Sequence, residues 1–392
     1  MASSVTQVNN KLIVFRKQIF REYVRENLFS PYMGTDINSI IRVIPDLDKG
    51  GKNGGEQINV PLIARLQATA IASGPLIGNE EAIDNYGMRL WIDWARNAVV
   101  INNAEEQKSS IDLFAEAKPM LVDWGKELQR DEICDAYYAL PSQSSPAGLG
   151  SNNGQRVNGI LFDAATAAQR NTWITDNADR IQIGHSNTAN LSAGNFTASM
   201  LNITTTTDNI SGAILMTMKR RAKKANPRIR PFRLKENGTE WFVLFVGQEQ
   251  FRDLANDTDI KTANQNSRAR EQQGYMQNPI FVDGDLLYNG VIIREIPELS
   301  LRIPVGYSTV GVAAGAAGIQ VAPAFLCGQA SQAWCWGKMP TPTFRKEDDY
   351  QYLRGAGLKM AYGVGKIAKV TPANNFKEWG TFTGFFCAIP DA

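Results

Sequence analysis

Few side chains in this 392-residue sequence are of a type and spacing that could do chemistry. His185 is the only histidine, so a triad would have to use it, and a multi-histidine metal centre is ruled out. It lies in a polar stretch, where an ordinary surface histidine is expected. Cys134, Cys327, Cys335 and Cys387 are too few and too far apart for a disulfide framework, and no pair has CxxC spacing. Reduced thiols are the expectation. Gly365-Lys366 is followed by Ile367 and preceded five positions earlier by Met360, which removes the first glycine and the hydroxyl of a phosphate loop.

Other candidates fall to similar arguments. Gly311 to Gly318 lacks GxGxxG spacing and reads as a small-residue loop. Asp283-Gly284-Asp285 offers carboxylates without the rest of a calcium loop, and reads as a turn. Glu347, Asp348 and Asp349 are adjacent like charges with no partner to hold them in a cleft, as in a solvated loop. The sequence therefore predicts no catalytic site, no metal and no cofactor; a hydrolase using Asp or Glu finds no support in the spacing.

Two sets of residues are candidates for contact rather than catalysis. The basic run from Lys219 to Lys235, with Arg220, Arg221, Lys223, Lys224, Arg228, Arg230 and Arg233 between them, could meet DNA or an acidic neighbour, or simply complement a helix C-terminus in solvent. Trp91 and Trp94 offer large contact area with few rotors, suited equally to an intersubunit contact and to a core.

These residues need elements to position them. The chain is long enough for two or three packed modules, and its 43% hydrophobic and 20% charged content is that of a globular protein. A formal net charge of +2 is far from the strongly basic balance of a dedicated nucleic-acid binder, so any contact with DNA is expected to be local or weak. The N-terminal MASSVTQVNNKLIVFRKQIF has no signal-like apolar core, and no run of eighteen apolar residues occurs, so neither secretion by that route nor a membrane span is expected.

Residues 1 to 46 read as an extended arm with a helical piece. After the glycine-rich Gly50 to Gly55, alternation at Ile58, Val60 and Leu62, and again at Leu90, Ile92 and Trp94, predicts a long hairpin with a soft middle. Ser109 to Asp112 fits a capping box opening a helix of about twenty-five residues through Phe114, Ala117, Leu121, Trp124 and Leu128, with a bend or break expected at Pro119. Residues 141 to 206, rich in Ser, Asn, Gly and Thr, read as a surface insertion of low intrinsic order.

A second helix is predicted from Asp208 as N-cap, with Ile210, Ile214, Leu215 and Met218 on one face and a basic end stopped by Pro227. The apolar run Trp241 to Val246 reads as a strand covered on both faces, followed by a helix from Gln248. Asn289-Gly290 predicts a tight hairpin, and Phe376 to Ile389 favours strand.

From Arg180 to Leu254 the sequence combines a polar loop, a helix with a basic end, a Pro-x-x-x-Pro link at Pro227 and Pro231, and the apolar strand. In this it resembles the middle of the major capsid proteins of phages related to the virus N-four. The order of features elsewhere is similar, so the resemblance covers most of the chain. It implies an α+β subunit of the Hong Kong phage coat fold: an N-terminal arm at 1–48, an extended loop at 49–103, and a peripheral domain with a spine helix at 104–256 that carries the 141–206 insertion. An axial domain would occupy 257–360, with 361–392 returning to the peripheral domain.

The implied function is a structural shell subunit, assembling as pentamers and hexamers into an icosahedral head around double-stranded DNA. The implied partners are copies of itself, scaffolding, portal and decoration proteins, and packaged DNA contacted non-specifically. Assembly in the host bacterial cytoplasm and residence in the virion follow. A cellular nanocompartment shell of the same fold is the alternative, and the central stretch favours the phage version.

Overall fold

The computed structural model describes residues 27–45, 55–109, 112–146, 155–192, 194–233, 239–263, 286–302, 319–345, 352–370 and 375–389. The turn expected at Asp283 to Asp285, the loops expected at Gly311 to Gly318 and Glu347 to Asp349, and the first 26 residues of the expected arm lie outside them. The chain divides into two compact units: one includes Arg96–Leu128 and Thr341–Lys359, the other Leu28–Ala95, Gln129–Pro340 and Met360–Ala392. Helices and sheets occur in the α+β arrangement expected.

The second unit is organised on a seven-stranded mixed sheet. Its main path runs Leu286–Tyr288, Val291–Glu295, Glu240–Val246, Val321–Cys327, Thr381–Cys387 and Ile181–Ile183, with Phe232–Arg233 paired to Glu240–Val246. The expected apolar strand is central: Glu240–Val246 is parallel to Val291–Glu295 and antiparallel to Val321–Cys327. Successive side chains of a strand point to opposite faces. Phe242, Leu244 and Val246 accordingly pack with Ile214, Leu215 and Met218 of the helix Gly212–Lys224. On the other face Phe245 meets Phe29 edge-on at 5.1 Å and Tyr137 at 5.7 Å.

The Asn289-Gly290 turn forms as predicted. Asn289 has φ 47° and Gly290 φ 70°, and Leu286–Tyr288 pairs antiparallel with Val291–Glu295. The C-terminal strands Phe376–Glu378 and Thr381–Cys387 are also present.

The long helix spans Leu113–Tyr137 and is continuous through Pro119, so of the expected bend or break the break does not occur. One missing hydrogen bond early in a twenty-five-residue helix is outweighed by those that follow, and Ala115, whose carbonyl loses that donor, is an exposed residue. The cap also shifts: Asp112 Oδ1 accepts from the Ala115 N–H at 2.9 Å, while Ser109 closes a preceding short helix, Asn103–Lys108. In the first unit Lys118 Nζ lies over the rings of Phe114 and Phe344 at 5.7 and 5.6 Å.

The largest correction concerns 141–206. Its described residues fold around a buried aromatic cluster in which Phe162, Trp173 and Phe196 meet Phe385 of the central sheet. A capping box between Thr166 and Gln169 starts the helix Ala167–Asp176. The polar composition that resembles a loop is spent on buried hydrogen bonds. Asp208, 1% exposed, accepts from the backbone N–H groups of His185 and Thr204, His185 Nδ1, Asn190 Nδ2 and Thr204 Oγ1 at 2.7 to 3.0 Å. Gly184, at φ +54°, makes this convergence possible, because a Cβ there would lie 2.1 Å from Asp208 Oδ1. Asp208 is therefore a buried acceptor and not the N-cap of the next helix, which begins after Ser211.

Candidate assembly surface

The predicted hairpin is present: Gln57–Ile63 pairs antiparallel with Asn85–Trp91. Its root is anchored by alternation. Val60, Leu62, Met88 and Leu90 are buried against Ile44, Ala333, Cys335 and Ile367, while their neighbours along each strand face out. Above the root the two arms stay joined: the Ala64 N–H donates to the Asp84 carbonyl at 3.0 Å, and Glu81 accepts from the Gln67 and Ala68 N–H groups at 2.6 and 2.7 Å.

From Arg65 to Asn85 every residue is exposed. Leu76 (68%), Ile77 (86%) and Ile83 (67%) show large aliphatic surface to solvent. Each would gain roughly 1.5–3 kcal/mol on full burial.

The two tryptophans separate. Trp91 is half-buried and fastened at the root: its indole N–H donates to the Gln143 carbonyl at 3.2 Å, and its backbone exchanges hydrogen bonds with the Asn158 side chain at 2.7 and 2.9 Å. Trp94 is 50% exposed, leaving its ring available for contact.

The basic run separates as well. Arg221 turns inward: its guanidinium donates to the carbonyls of Ile181 and Ala178 and to Gln182 Oε1 at 2.7 to 2.8 Å, and it lies over the Phe382 ring at 5.6 Å. This corrects its place among the candidate contacts, since desolvation and the edge of the central sheet claim it. Burial also lowers its pKa from the ordinary arginine value. Lys219 is half-buried with its ammonium on the Asn289 carbonyl; burial and repulsion from Lys223 lower its pKa. Arg220, Lys223, Lys224, Arg228 and Arg230 are exposed.

Arg228 and Arg230 help to form a cavity of about 430 Å³ with two cations the sequence reading missed, Arg65 and Lys369. No local signal announces that grouping, because positions 65, 228 and 369 meet only through the hairpin root and the helix end. Among the described residues no group of three or more His, Cys, Asp or Glu is placed to hold a metal, and no helix is long and apolar enough to cross a membrane.

Against this geometry, residues 6–383 match the family described as phage capsid protein. The chain belongs to the phage capsid protein family. This capsid protein has 28% identity and a TM-score of 0.83 with the capsid asymmetric unit of cyanophage Pam1, each chain covered completely. The Ralstonia phage GP4 capsid gives 15% identity and a TM-score of 0.70, again over both full chains. The major capsid protein of Pseudomonas phage KPP25 is 23% identical over 97% of this chain and 96% of its own length. The Hong Kong phage coat fold and the major capsid protein reading are thereby established over the nanocompartment alternative. The family is a structural one and not an enzyme family.

Proposed function

We propose that this capsid protein closes an icosahedral head from pentamers and hexamers around double-stranded DNA, through matching surfaces and without a catalytic site. The observation that carries this is the hairpin: a buried root holds out a loop whose aliphatic side chains have no described cover within the subunit. A head-to-tail contact between identical copies buries such a loop, and closed rotation of that contact makes rings. Many modest contacts then become stable together.

The same reading divides the chain into the arm (1–48), extended loop (49–103), peripheral domain (104–256), axial domain (257–360) and returning C-terminal region (361–392). Pairing of Thr381–Cys387 with Ile181–Ile183 supports the return. Scaffolding, portal and decoration proteins are the proposed partners. DNA contact is non-specific and weak, through exposed cations such as Arg220 and Lys224, in keeping with a net charge of +2. Four free, buried cysteines suit assembly in a reducing host cytoplasm.

The test is a chain in which residues 69–79 are replaced by a short Gly-Ser linker, expressed with the scaffolding partner. The expected product is a folded subunit, by circular dichroism, that forms no closed particles in negative-stain images. Normal particles from this variant would overturn the proposal.

A further inference from the structure

The cavity beside the hairpin root is strongly cationic. Arg65, Lys223, Arg228, Arg230 and Lys369 line it against only Asp84 and Glu240. Lys223 lies 4.0 Å from Glu240, and Lys369 lies 4.0 Å above the Tyr86 ring. No described acidic side chain pairs with Arg65, Arg228 or Arg230. Pro227, Ile229, Pro231 and Trp379 add apolar wall. Three arginines without a described acidic partner line this one concave site, and arginine is suited to carboxylates, which it grips bidentately. A hollow of about 430 Å³ admits a few side chains but not a DNA duplex, whose phosphates lie on a convex surface.

We propose that this cavity receives the loop tip Leu76 to Glu81 of a second copy of the chain. The tip has the complementary character: Leu76 and Ile77 are exposed aliphatics, and Glu80 and Glu81 follow them directly. Glu80 accepts from the Gly78 N–H at 2.7 Å and Glu81 from the Gln67 and Ala68 N–H groups, yet each carboxylate retains lone pairs for an arginine. No residue of the tip lines the cavity, although Glu81 bonds Gln67 at its rim, so contact between the tip of one copy and the cavity of another is head-to-tail and propagates from copy to copy. This deepens the shell reading and rests on it.

The experiment mixes full-length Ile77→Cys and Arg228→Cys chains during assembly. All four native cysteines are buried, so the introduced thiols are the reactive ones. The expected result is a 77–228 disulfide between copies in assembled particles, found by mass spectrometry, and none in unassembled subunits. Particles that form without that link overturn this docking while leaving the shell reading intact; failure of the unsubstituted chain to form particles overturns both.

A charge swap supplies the second measurement. Arg228→Glu with Arg230→Glu is expected to lower particle yield at least tenfold with an unchanged far-ultraviolet circular dichroism spectrum. Adding Glu80→Arg is expected to restore yield. Undiminished yield from the double variant would refute the contact.

Discussion

The Lys366 ammonium lies 2.8 Å from Glu378 Oε1, and each side chain is 1% exposed. The same carboxylate oxygen accepts from the Trp173 indole N–H at 3.0 Å, while the rings of Phe162, Trp173 and Phe325 surround the ammonium at 5.6 to 5.9 Å. A buried pair is costly to break from one side, because the partner left behind is an uncompensated charge. Lys366→Met is therefore expected to destabilise the subunit by about 3–5 kcal/mol, and Lys366→Met with Glu378→Leu to recover much of that loss. Urea unfolding of the two variants checks this; equal losses would show that the ion pair is not the cause.

Phe245 presents a simpler case. Fully buried, it touches Phe29, Tyr32 and Tyr137 at ring separations of 5.1 to 5.7 Å. Removing the ring leaves a cavity among groups held by the central sheet, so Phe245→Ala is expected to cost about 3–5 kcal/mol. A change below about 1 kcal/mol in chemical denaturation would mean that the site collapses freely.

Asp208 sets an acid limit. Burial raises its pKa, but the hydrogen bonds from His185 and Thr204 outweigh it and hold the carboxyl below its ordinary 3.8. A carboxylate with a depressed folded-state pKa contributes stability above its unfolded value, and that contribution is lost as pH falls through the folded value. Asp208→Asn is expected to cost about 1–3 kcal/mol at neutral pH and to flatten the fall in stability below about pH 4. Unfolding free energies measured across that range test both parts; an unchanged slope would exclude Asp208 as the source.

The thiols should be silent. All four cysteines are buried, and burial pushes the Cys327 thiol up to about 12 and that of Cys387 up to about 11. Since the thiolate is the reactive form, a chromogenic thiol reagent at neutral pH is expected to label none in the native subunit and four after denaturation. Rapid native labelling would place at least one thiol in a more open environment.

Local signals in the sequence identified elements whose conformation is decided locally. Asn289-Gly290 encodes its turn because both positions need positive φ, and Trp241 to Val246 encodes a doubly covered strand by being apolar at every position. The period of Phe114, Ala117 and Leu121 encodes the long helix. The same logic failed for 141–206. Asp208, Asn190 and His185 are polar by composition, but which of them are buried depends on bringing Gly184 and Thr204 around one carboxylate. Composition registers the polarity and cannot register the partner.

The candidate surface divides along the same line. The sequence by itself determined that histidine chemistry could draw on His185 alone, that no two cysteines have CxxC spacing, that a hairpin rises between Ile58 and Trp94, and that cations gather after Lys219, because residue identity and near-neighbour spacing suffice for those statements. Only the tertiary structure decided that Arg221 is withdrawn into hydrogen bonds while Arg228 and Arg230 join Arg65 and Lys369 around one cavity. The physical reason is distance along the chain: desolvation and charge pairing depend on which remote segments the central sheet and the hairpin root bring together, and a linear pattern carries no record of that.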